Sequence, residues 1–147
     1  MKHYFPFREI EDDTPTAKAL IEFVKPMCNQ PTLSECLNRL MAEKNMTAPE
    51  VYHRADLDRQ TFNRITQFGS NVRASKRTLL QVAIGFESSE QEAKAILVTC
   101  GFTFELASTE DQAFLFCIRN GFYNMFFVNE AIEFLNKAKN NDLSFRL

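Results

Sequence analysis

Two helix-start signals stand fifteen residues apart, "TLSE" at 32–35 and "TAPE" at 47–50. Each pairs a threonine with a glutamate three residues on, the pattern in which side chain and backbone cap one another reciprocally. A helix opening at Thr32 must therefore close before Thr47, so only short helices fit. Similar starts recur along the chain: Thr14 before Pro15, Ser75 before "KRTLLQVAIGF", "SSEQ" at 88–91, and Thr109 with Gln112. Period-two alternation is missing throughout, and the chain has only four glycines. These features predict an all-α fold of short capped helices.

Apolar spacing supports that reading. Leu33, Cys36, Leu37, Leu40 and Met41 form one stripe of the helix after Thr32. Ala17, Leu20, Ile21 and Val24 form another, which Pro26 is expected to end. Val51 and Ala55 mark the inner side of the helix after Thr47. Leu79, Val82, Ala83 and Phe86 point inward from the helix after Ser75, and Ala93, Ile96, Leu97 and Cys100 from the next, which Gly101 stops. The helix after Thr109 ends at Gly121, and a last one spans about Phe126 to Lys139. The tail "NNDLSFRL" is expected to fray. The 147 residues suit one domain: an N-terminal extension with one helix at 1–30, a core at 32–106 and a helical extension at 107–147.

No apolar run has the length of a membrane span, and "MKHYFPFREIEDD" turns acidic where a secretory signal would stay apolar. Cys28, Cys36, Cys100 and Cys117 form no CxxC pair, and only His3 and His53 could join them at a metal. Buried free thiols in a reducing cytoplasm are the expectation, with no cofactor. Asp56 and Asp58 are close carboxylates, but helix capping accounts for both. No Ser-His-Asp spacing or phosphate-binding glycine loop occurs, so nothing points to an enzyme.

The stretch "EVYHRADLDRQTFNRI" at 50–65 contains two helical runs hinged at "ADLD" without glycine or proline. Asp56 is placed to take the left-handed conformation, which aspartate tolerates better than most residues. Asp58 then caps the second run and Leu57 plugs the gap between the helices. On the second run, about 58–68, Phe62, Ile65 and Phe68 fall on one arc, while Arg59, Gln60, Asn63, Arg64 and Gln67 fall on the opposite one. Two short helices with a tight turn and a polar outer stripe describe a helix-turn-helix.

Charge is uneven. The net charge is −2, yet residues 51–81 hold six basic residues against two acidic ones, a local +4. Arg54, Arg73, Lys76 and Arg77 are the expected phosphate contacts, with the helix start at Ser75 offering backbone donors. The second run would meet base edges in the major groove of double-stranded DNA, Gln60 and Asn63 on adenine, Arg59 or Arg64 on guanine, with Gln67 beside them.

The helix order resembles the lambda-repressor-like domains of the XRE class. "TLSECLNRLMAEKNMTAPEVYHRADLDRQTFNRI", "SKRTLLQVAIGF", "EAKAILVTCGFTF" and "NGFYNMFFVNEAI" together resemble a bacterial family of stand-alone or appended helix-turn-helix domains. Its second half ends in Y-N-x-F-x-x-N-E-A, here Tyr123, Asn124, Phe126, Asn129, Glu130 and Ala131. The likeness covers about residues 32 to 136 and implies a DNA-binding regulator. Tyr52 departs from it: repressors keep alanine there because two helices cross closely, so either the crossing is wider or the ring points outward.

Phe102, Phe104, Phe114, Phe116, Phe122, Phe126 and Phe127 crowd the second half. Most are expected in the core. Neighbours such as Phe126 and Phe127 cannot face one way on a helix, so some would emerge as a patch suited to a homodimer. The rival to DNA binding is a protein-interaction module that keeps the fold and grips its partner with this half or with the acidic N-terminus. RNA binding ranks third, for want of a basic stacking platform.

Overall fold

The computed structural model describes residues 14–141, and among these every regular element is an α-helix. His3 and the tail residues 142–147 lie outside that range. The chain divides into two compact units, Met1–Pro31 and Thr32–Leu147.

The first unit contains α1, Pro15–Cys28, capped by the Thr14 hydroxyl with proline at its start. Pro26 does not end it. The helix runs on to Cys28 despite the intrahelical bond that the proline removes. Of its anticipated apolar stripe only Ala17 is buried, while Leu20 and Ile21 are exposed.

The second unit holds α2 (Leu33–Lys44), α3 (Ala48–Arg54), α4 (Arg59–Thr66), α5 (Lys76–Gly85), α6 (Glu90–Val98), α7 (Thr109–Asn120) and α8 (Met125–Asn141). Thr32, Thr47 and Ser75 cap α2, α3 and α5 as read. Two other starts fall one residue from the expected place. Ser89 with Glu92, not Ser88 with Gln91, forms the reciprocal box of α6, and Ser108 with Asp111, not Thr109 with Gln112, opens α7. Gly121 closes α7 in the left-handed conformation.

Helix α2 packs on α4, α3 on α5, α5 on α6, and α7 along α8. One apolar cluster runs through them all, from Leu33 to Val128, with Phe62, Phe86 and Phe114 fully buried. Each such ring contributes about 1.5–3 kcal/mol by leaving water. Helices α3 and α5 approach closely at Gly85. A Cβ on Gly85 would stand 2.5 Å from the Val51 carbonyl oxygen and 2.9 Å from the Ala55 methyl. Tyr52 lies beside this crossing and is half-buried, its ring 5.9 Å from Phe62 and edge-on to His53 at 4.6 Å.

Cys36, Cys100 and Cys117 are buried free thiols, and Cys28 is exposed. Burial pushes the Cys36 and Cys117 thiols above their ordinary value. No helix among the described residues is long and apolar enough to cross a membrane.

Candidate functional site

The turn between α3 and α4 forms as its residues dictate. Ala55 caps α3, and Asp56 adopts φ 57°, the left-handed conformation. The Leu57 N–H donates to the Tyr52 carbonyl at 2.9 Å, and the Leu57 side chain packs on the core. From α5, the Gln81 amide donates to the Ala55 carbonyl at 3.0 Å. Gln81 was not legible as a turn brace, because its sequence context is that of a helix face. Asp58 caps α4, its carboxylate accepting from the Thr61 N–H at 2.7 Å. Hydrogen bonding to Thr61 holds the Asp58 carboxyl below its usual value, helped more weakly by Arg64.

The far end of α4 is fixed from α2. The Asn38 amide donates to both the Thr66 and the Ser34 carbonyls at 2.8 Å. With Phe62 and Ile65 fully buried, the rotation of α4 is set, and Arg59, Gln60, Asn63, Arg64 and Gln67 all face solvent. Phe68 does not join the buried arc. Helical geometry stops at Thr66, Gln67 turns extended, and the Phe68 ring is 96% exposed.

The flanking cations are placed differently. Arg54 donates to the Gly85 carbonyl at 2.7 Å and pairs with Glu87 at 3.3 Å. Lys76 pairs with Asp111 at 2.5 Å and Glu105 at 3.4 Å. Arg77 pairs with Glu110 at 2.9 Å, donates to the Asn129 side chain at 3.1 Å and lies over the Phe114 ring. The Ser75 hydroxyl is taken up by Thr78, whose N–H it caps. Arg73 reaches the Cys100 carbonyl, and the residue is exposed. The local +4 is thus largely offset by acids from outside the window.

Arg59 and Arg64 stand apart. Among the described cations of residues 32–141 they alone make neither an ion pair nor a hydrogen bond.

The C-terminal motif residues lie across a cleft from the turn. Tyr123, Asn124, Phe126 and Asn129 line a cleft of about 410 Å³ opposite His53, Arg54 and Asp56. The Tyr123 hydroxyl donates to the Ser88 carbonyl at 2.8 Å, Asn129 accepts from Arg77, and the Asn124 side chain accepts from the Phe126 N–H at 2.7 Å. The Tyr123, Asn124 and Asn129 side chains thus each have a structural task, while the Phe126 ring is exposed.

The phenylalanines depart from expectation. Phe114 is buried, and Phe102 and Phe104 are half-buried against the core. Phe116, Phe122, Phe126 and Phe127 are exposed, so most of the seven are not core. They touch in series, Phe116 to Phe122 to Phe127 to Phe126, at centroid spacings of 6.0, 6.0 and 6.1 Å. The α7–α8 junction sets them outward because Ile118, Met125 and Val128 take the inner positions.

Comparison with protein-family models, with curated proteins and with solved structures returns no match.

Proposed function

We propose that this chain is a non-enzymatic, sequence-specific DNA-binding protein, a cytoplasmic transcriptional regulator whose α3–α4 pair is a repressor-like helix-turn-helix. Helix α4 enters the major groove with Arg59, Gln60, Asn63, Arg64 and Gln67 toward base edges. Arg73 and the backbone donors at the start of α5 meet phosphate. Arg54, Lys76 and Arg77 serve chiefly to hold the fold.

The observation that carries this reading is the state of Arg59 and Arg64. A chain that matches its other cations of residues 32–141 to an internal acceptor leaves these two unmatched, on one rigidly oriented face. An unpaired guanidinium keeps its planar fork of donors free for a guanine edge or a phosphate.

The exposed phenylalanine series favours a second reading, a protein-interaction module on the same fold. It also suits a homodimer, which a symmetric operator requires. Selection of bound sequences from a random duplex pool separates the two. DNA binding gives a two-fold symmetric motif that the Arg59→Ala, Arg64→Ala double variant no longer selects. Recovery of no motif, with the double variant retaining wild-type affinity for duplex, overturns it.

A further inference from the structure

A second concavity lies away from α4. It is an open groove of about 790 Å³ between α6, the connector 102–107 and α7, within the range of about 300–1,000 Å³ typical of small-molecule sites. Its walls are apolar: Val98, Phe102, Phe104, Leu106 and Leu115. Val98 and Leu106 are 61% and 75% exposed, uncovered among the described residues. The connector is fixed rather than loose. The Glu105 N–H donates to Asp111 at 2.6 Å, and the Gln112 amide donates to the Leu106 carbonyl at 2.6 Å. The groove is therefore pre-formed, which lowers the ordering cost of a ligand.

The rim carries charge of one sign in excess. Lys94, Arg119 and Glu90 all line it. Arg119 grips Glu90 through Nε and Nη2, and Lys94 adds to the same carboxylate at 3.2 Å. Two cations on one anion leave a local surplus of +1. Glu90 occupies one edge of the guanidinium, and Nη1 makes no hydrogen bond among the described residues. A guanidinium oriented on one side and open on the other is a positioned carboxylate receptor.

We infer that this groove binds a small monocarboxylate with an apolar body. The body lies on Phe102, Phe104 and Leu106, and the carboxylate meets Arg119 Nη1 and Lys94. An apolar body alone would leave the cationic rim unused, and a bare anion would leave Val98 and Leu106 in water.

The test is titration calorimetry on the full chain, without DNA, using 2-naphthoate, its uncharged isostere 2-naphthamide, and acetate. Naphthoate saturates, the amide binds roughly tenfold more weakly, and acetate gives no heat. Arg119→Gln loses roughly tenfold for naphthoate but not for the amide. Leu106→Asp, at an exposed site, abolishes binding of both with an unchanged melting temperature. Equal affinity for acid and amide overturns the inference. So does failure of naphthoate to saturate, or retention of wild-type affinity by both variants. Sedimentation showing that Leu106→Asp dissolves a dimer that naphthoate does not perturb assigns the groove to a second copy, and overturns it too.

Discussion

Lys76 Nζ lies 2.5 Å from Asp111 Oδ2 and joins the first turn of α5 to the first turn of α7. Both side chains are largely withdrawn from water, and Asp111 also accepts the Glu105 N–H. Removing one partner of such a pair leaves the other charge poorly solvated, which costs more than the pair itself contributes. Asp111→Ala therefore lowers unfolding stability by about 2 kcal/mol, because Lys76 keeps only the more exposed Glu105 and the connector N–H loses its acceptor. Lys76→Met costs less, since Asp111 keeps its backbone donor. The Lys76→Met, Asp111→Ala double variant loses less than the sum, a coupling that urea denaturation reads directly.

Gly85 reports on the α3–α5 crossing. A methyl there meets a backbone carbonyl at 2.5 Å and the Ala55 methyl at 2.9 Å, neither of which can swing aside. Gly85→Ala gains helix propensity, and overpacking outweighs it. The expected result is a net loss of about 2 kcal/mol in urea denaturation. On the proposed function, α3 carries the turn that aims α4, so the variant is also expected to bind duplex DNA more weakly than its lost stability alone explains.

Local chemistry was legible and distant pairing was not. Thr32, Thr47, Asp58 and Ser75 cap their helices because an N-cap needs only its own residue and the next few backbone donors. The left-handed Asp56 and the outer stripe of α4 follow from equally short-range geometry. Two caps slipped by one residue where hydroxyls are adjacent. Local sequence does not choose between Ser88 and Ser89, and the core decides by burying Ser88, its hydroxyl left without a partner. The +4 of residues 51–81 says nothing of the acids that fold against them. Glu87, Glu110 and Asp111 reach into the basic segment through tertiary packing, from beyond the counted window. The exposed phenylalanines were missed in number because a helix end, not periodicity, sets which ring at the α7–α8 junction faces out.

Glu90 supplies a pH dependence. Arg119, and then Lys94, hold its carboxyl down to about 2 from an ordinary 4.5. A carboxyl whose folded pKa is depressed adds stability that is present above the unfolded value and lost as pH falls through the folded one. The contribution is thus complete above about pH 5 and fades between 4.5 and about 2. Glu90 is only partly buried and its partners Arg119 and Lys94 are exposed, so solvent screening keeps the effect small. Melting temperatures of wild type and Glu90→Gln differ most near neutral pH and converge toward pH 2. A gap that stays constant over that range rules out the ion pairs as its source.

On the proposed function, salt dependence distinguishes the cations assigned to DNA from those that hold the fold. Each phosphate neutralised adds about −0.9 to the slope of log affinity against log salt. On a selected duplex, Arg73→Ala flattens that slope by about one unit. Arg59→Ala and Arg64→Ala, at the proposed base contacts, are expected to cost about 1–3 kcal/mol each and to relax the preference at single positions of the motif. Lys76 is committed to Asp111, so Lys76→Ala lowers the urea midpoint and leaves the slope unchanged. Filter binding across a salt series reads all four variants. A Lys76→Ala slope as shallow as that of Arg73→Ala means that Asp111 releases the lysine when duplex arrives, and the division of labour proposed for this segment is then wrong.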